Sequence, residues 1–176
     1  MKKMTGKNTM PKLVLIMFAL SAAAVFAAQN ETVGRALSIL RPEVKVQISG
    51  TLKRGSQIVA LDKTEMVESG EILDWKISSA NLGSAAARNY RVVGQIPKGT
   101  EYVAGSADGD QAPEILYSID GGKSFSVQPV VEEKQPDGSV KQIPAPVSMY
   151  SQIKFEWAKE LPAESQLNAA YRVRVK

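Results

Sequence analysis

Residues 171–176 read Tyr-Arg-Val-Arg-Val-Lys, and this stretch decides the class of fold. Tyr171, Val173 and Val175 are apolar, and they alternate with Arg172, Arg174 and Lys176. In a helix, residues two apart point to opposite sides, so neither set would share a face. In a strand the side-chain period is two, and one face becomes apolar while the other carries charge. The same alternation recurs upstream. Ile153, Phe155 and Trp157 alternate with Gln152, Lys154 and Glu156. Val44, Val46 and Ile48 alternate with Lys45, Gln47 and Ser49. Tyr90, Val92 and Ile96 alternate with Arg91 and Gln95, although Val93 interrupts the polar side. Half-buried strands of antiparallel sheets read this way.

Turn residues punctuate these strands. Gly50, Gly55, Ser69-Gly70, Asn81-Leu82-Gly83, Pro97-Lys98-Gly99, Asp108-Gly109, Asp120-Gly121-Gly122, Pro136-Asp137-Gly138 and Pro162 follow one another at short intervals. Glycine supplies positive φ, proline presets φ, and Asn and Asp bond locally to the backbone. Further strands are expected at 57–61, 71–78, 101–105, 114–119 and 124–131. The expectation is an all-β chain: a single antiparallel β-sandwich of seven to nine strands over residues 43–176. Residues 84–89 read as a loop, and residues 132–147, rich in Glu, Lys, Gln and Pro, as a long one. Residues 29–42 form a lead-in segment, whose first part is either a short helix or a loose strand.

The first 28 residues have a different character. Lys2, Lys3, Lys7 and Lys12 precede the apolar run Leu13–Leu20, and small residues follow as far as Val25-Phe26-Ala27-Ala28. This is the layout of a secretory signal peptide, with cleavage expected after Ala27 or Ala28. A membrane anchor is the competing reading, but the apolar stretch is short and half of it is weakly apolar, whereas a span takes about 20 residues. The chain has 22 Lys and Arg against 18 Asp and Glu, a net charge of +4. The four leader lysines account for all of the excess, and the rest of the chain is balanced. A nucleic-acid partner is therefore not expected, nor a membrane one after cleavage. His and Cys are absent. Their absence excludes Ser-His-Asp and Cys-His nucleophile systems, His or Cys zinc sites, and disulfides.

The order of motifs from 63 to 125 resembles a known family. Val67-Glu68-Ser69-Gly70-Glu71, Leu73–Ile77, Asn81-Leu82-Gly83 and Ala86–Val92 follow one another as its elements do. Ile96-Pro97-Lys98-Gly99-Thr100-Glu101-Tyr102-Val103-Ala104-Gly105-Ser106-Ala107 resembles its strongest signature. Leu116–Phe125, with Ser118-Ile119-Asp120-Gly121-Gly122 inside it, is similar to its next stretch. Trp157–Leu161 and Tyr171–Val175 resemble its closing elements. The family is the conserved repeat domain of bacterial and archaeal surface proteins, a domain of unknown function numbered eleven. The resemblance implies an immunoglobulin-like sandwich on an exported protein. It names no active site. The family commonly occurs in tandem, whereas one copy is present here.

Five groups of residues are candidates for chemistry. Asp108, Asp110 and Glu114 place three oxygen donors close in sequence, as calcium would need, without the spacing of an EF-hand; a turn of solvated acids is the plainer reading. Glu132 and Glu133, with Glu156 or Glu160, supply carboxylates for hydrolysis, but nothing sets their separation. Trp75 and Trp157 stand in the apolar register of their strands and read as core rather than as a glycan platform. Arg172, Arg174 and Lys176, with Arg91 on a possible neighbouring strand, form a basic stripe that reads as a solvated face. Asn168 with Lys45 or Lys63 has the residue types of an intramolecular isopeptide bond. No catalytic residue, cofactor or metal is assigned.

The expected function is non-catalytic: a structural or adhesive role in the cell envelope or extracellular matrix, in the periplasm, on the surface or secreted. The expected partner is an envelope or surface protein, or a second copy of the chain. The alternative is a soluble module binding glycan or calcium.

Overall fold

The computed structural model describes residues 41–61 and 66–176. The leader 1–28, residues 29–40 and Lys63 lie outside the described residues. Residues Pro42–Lys176 form one compact unit.

Among the described residues, eleven strands follow in order: β1 (Val44–Arg54), β2 (Gln57–Ala60), β3 (Ile72–Asn81), β4 (Arg91–Gln95), β5 (Thr100–Tyr102), β6 (Asp108–Gly109), β7 (Glu114–Ser118), β8 (Val130–Lys134), β9 (Val140–Pro144), β10 (Gln152–Glu156) and β11 (Gln166–Val175). A short 3₁₀ turn, Val147–Met149, precedes β10. One sheet has the order β2-β1-β3-β11-β5, with β6 also on β11, and a second has the order β4-β10-β7. These nine strands make the sandwich, at the top of the expected range. All pairings are antiparallel.

Most of the strands chosen by alternation bury the expected side, the first half of β1 excepted. Leu52, Leu73, Ile77, Leu167, Ala169, Tyr171 and Val173 come from the first sheet, and Ile153 and Phe155 from the second. They form one core with Trp157, Leu161, Ile96 and Tyr102. β11 begins at Gln166, well before the charged alternation, because Leu167 and Ala169 keep its inward parity. Burial of such side chains contributes roughly 1.5–3 kcal/mol each.

Tyr171 ties the sheets together. Its hydroxyl donates to the Gln95 carbonyl at 2.6 Å, from β11 across to β4. Burial pushes its phenol up to about 12. Gly94 makes room for the ring: a Cβ there would lie 2.5 Å from Tyr171 Cε1.

The strand order is nested. β3 pairs β11 while β4 pairs β10, and β11 and β10 then take β5 and β7 on their far sides. In an immunoglobulin sandwich the last two strands share a sheet. Here β10 and β11 lie in opposite sheets. What the structure shows is thus the antiparallel sandwich, with a Greek-key-like crossing between its sheets.

Residues 124–147 differ from expectation. Of the strand expected at 124–131, only the bridge of Ser126 to Tyr117 and the first two residues of β8, Val130 and Val131, are present. The region expected as a loop, 132–147, instead contains most of a hairpin. β8 pairs β9 as a separate two-stranded sheet. Its turn is built from Gln135-Pro136-Asp137-Gly138-Ser139. The Gln135 N–H donates to the Ser139 carbonyl at 2.8 Å, Asp137 accepts from the Ser139 N–H at 2.9 Å, and Gly138 has φ +84°. Glu133 stands opposite Lys141. Val130 and Val131 stand side by side, and Glu132, Glu133, Lys134, Lys141 and Gln142 interrupt the apolar residues on both sides, so alternation does not reveal these strands.

Candidate interaction surface

The acidic candidates are separated by the fold. Asp108 lies on β6, beside β11 of the first sheet, whereas Glu114 lies on β7 of the second. The Asp110 carboxylate accepts from the backbone N–H of Asn168 at 2.8 Å and from its side-chain amide at 2.9 Å. The Asp110 carbonyl accepts from the Trp157 indole at 2.7 Å. Asp110 therefore anchors its loop to β11 and to the core tryptophan. Among the described residues, no group of three acids is arranged to hold a metal ion.

The other carboxylates are also dispersed. Glu132 and Glu133 lie on the hairpin, and Glu133 accepts from the Gln135 amide at 3.2 Å. Glu156 pairs with Lys154 on its own strand at 2.7 Å, and Glu160 lies 3.5 Å from Arg88 on an exposed loop. Trp157 is buried and stacks on Tyr90. Trp75 is half-buried and fills the space over Gly50. Neither ring offers a flat exposed platform.

Arg172, Arg174 and Lys176 do share the outward side of the C-terminal strand end. They are answered by acids in register: Asp74 stands opposite Arg172 and Glu101 opposite Arg174. Arg91, expected as a possible neighbour, lies on β4 in the other sheet, opposite Glu156. Its strand pairs with β10, so the stripe does not extend to it. Asn168 accepts from the Ser78 hydroxyl at 2.8 Å and donates to Asp110. Lys45 lies on β1, with β3 between it and β11, so two strand spacings of about 4.8 Å separate it from the strand of Asn168.

Two local knots hold the loops around the core. Asp120 accepts from the hydroxyls of Ser118 and Ser124 and from the N–H groups of Lys123 and Ser124. The Ser124 bonds, above all, hold its carboxyl far below the usual carboxylate range. Glu71 is lowered by its bonds to Arg54, at 2.8 Å, and to the Glu68 N–H. Both arrangements read as turn chemistry, without an open position for a substrate.

The feature that alternation did not reveal is the exposure of the apolar side of β1. Val44, Val46 and Ile48 have the parity of the core, yet Val46 is 44% exposed and Ile48 53%. Ile48 stands beside Ile77, which is wholly buried, so at Val46 and Ile48 the core boundary falls between β3 and β1, whereas Gly50 and Leu52 further along β1 are buried. The backbone of this half-strand is also open. β2 covers only Thr51–Arg54. The Leu82 N–H donates to the Glu43 carbonyl on the β3 side, and the Leu61 N–H to the Gly50 carbonyl on the other. Odd residues of β1 thus turn their backbone groups toward β3, and even residues turn theirs outward. Among the described residues, nothing pairs with the outward groups of Val44, Val46 and Ile48. The hairpin adds exposed Val130 and Val140. Among the described residues, no helix is long and apolar enough to cross a membrane. No family model matches this chain, and no curated protein or solved structure matches it either.

Proposed function

We propose that the chain is an exported, non-catalytic β-sandwich with a structural or adhesive role in the cell envelope or extracellular matrix. It acts by protein–protein contact. The observation that carries this reading is the open edge of β1, with Val46 and Ile48 exposed beside outward-turned backbone groups. An edge of this kind is a template for another strand, and its main-chain bonds give affinity without special side chains. The signal-peptide layout of residues 1–28 and the motif order of 63–125, which resembles that of a surface-protein repeat domain, support the same reading.

The alternative is a soluble module for glycan or calcium. One feature favours the glycan form. A groove of about 370 Å³ on the outer face of the first sheet is lined by Ser49, Thr51, Asp74, Lys76, Ser106 and Arg172. Trp75, half-buried, and Tyr171, buried, also line it, so neither presents a fully open ring for a sugar face to stack on.

Crosslinking in the native cell, followed by fractionation, tests the proposal. Contact residues on β1 joined to an envelope protein or to a second copy are the expected result. A monomer free in the medium, with no crosslinked product, overturns it. A melting temperature raised by calcium or by an envelope glycan would favour the alternative.

A further inference from the structure

We infer that the occupant of the β1 edge is the β1 edge of a second copy, paired antiparallel about a two-fold axis at Val46. This rests on the reading above and names its partner.

The backbone dictates the kind of occupant. Val44, Val46 and Ile48 each turn an N–H and a carbonyl outward, and only an extended chain satisfies such a row. The side chains then select among extended chains. With the axis on Val46, Val46 faces Val46 of the second copy, and Val44 faces its Ile48 in both directions. Each of these pairs exchanges two backbone bonds, and each sets apolar against apolar on the inward face. The two exposed side chains, Val46 and Ile48, are thereby covered. On the outward face Lys45 meets Gln47, and Glu43 meets Ser49. No like charges stand opposite each other, a condition that cross-strand pairs require. Beyond the leader the chain carries 18 charges of each sign, so two copies do not repel by net charge.

The ends of the pairing also fit. Pro42 falls opposite Gly50. Leu61 already lies there, its N–H bonded to the Gly50 carbonyl, so the new pairing stops at the Val44–Ile48 pairs, and Pro42, with no N–H to place, lies just beyond it. Moving the axis to Gln47 would bring Val44 itself beside Gly50, where Leu61 already lies, and would leave one of the three outward residues without a partner. The free length of the edge therefore sets the register. The contact is isologous and closes as a dimer.

The test uses the chain purified after export. Sedimentation velocity should show a dimer. Val46→Lys places two ammonium groups opposite each other on the axis, and should give a folded monomer whose melting temperature no longer depends on protein concentration, because residue 46 is exposed in the single copy and only the pairing is lost. Lys45 and Gln47 form a non-hydrogen-bonded pair across the axis, where Cβ atoms approach most closely. The chain has no cysteine of its own. Mixing Lys45→Cys with Gln47→Cys protein under mild oxidation should therefore give a mixed disulfide dimer. Gln47→Cys mixed with Lys141→Cys, on the hairpin, should not.

A monomer at every concentration, or a dimer that survives Val46→Lys, overturns the inference. A β1 crosslink to a different envelope protein overturns self-pairing and leaves the contact function standing, whereas one to residues 29–40 of the same chain overturns both. A β1 edge that crosslinks to nothing in the native cell overturns both.

Discussion

Five hydrogen bonds converge on the wholly buried side chain of Asn81. Its amide donates to the carbonyls of Ala85, Leu161 and Pro162, and its oxygen accepts from the N–H groups of Glu43 and Gly83. The Gly83 bond is the local one that an Asn-x-Gly turn leads one to expect. The others join three separate segments and were not legible from residues 81–83. Asn81→Ala leaves these groups buried without partners, and should lower stability by roughly 2–4 kcal/mol in urea unfolding. Gly94 offers a second test. Gly94→Ala drives a methyl into the Tyr171 ring and should cost about 1–3 kcal/mol, while Tyr171→Phe removes only the bond to Gln95 and should cost about 1 kcal/mol. A Tyr171→Phe variant as stable as the parent would deny the hydroxyl its role as the tie between sheets.

Turns and hairpins carry the element-scale chemistry. In Ser118-Ile119-Asp120-Gly121-Gly122, glycine at positive φ was legible, but the closure by Asp120 was not, since its partners include Ser124 beyond the motif. The folded carboxyls of Asp120, Glu71 and Asp137 are all lowered by hydrogen bonds. A lowered folded pKa favours the folded state fully above the ordinary carboxylate range. That contribution disappears as pH falls from about 4 toward the folded values. Stability should therefore decline through this window, and Asp120→Asn should shallow the decline when unfolding is followed against pH. An Asp120→Asn profile parallel to that of the parent chain would refute the assignment.

The molecule as a whole divides into a two-layer sandwich and a one-layer hairpin. β3 and β11 lie inside the sandwich with partners on both sides, whereas β8 and β9 pair only with each other. A two-stranded ribbon alone is marginal in water. Amides of Val131–Lys134 should thus exchange with deuterium through local opening, far faster than those of Ile77 or Ala169, which should need global unfolding. Equal protection would mean that the hairpin is held by more than its own ladder. The neck is one bond, from the Ala145 N–H to the Pro129 carbonyl at 2.8 Å.

The sequence by itself determined the strand class, the inward side of most strands and the balanced charge beyond the leader. These are local properties: a period of two, a turn residue, a count of ions. Tertiary structure alone decided which strands are neighbours. It placed β10 and β11 in opposite sheets, separated Asp108 from Glu114, and left Val46 and Ile48 at an edge although their alternation matches that of buried Ile153 and Phe155. Alternation reports which face of a strand is apolar. Whether another layer covers that face, or another strand pairs beside it, depends on residues far away in the chain.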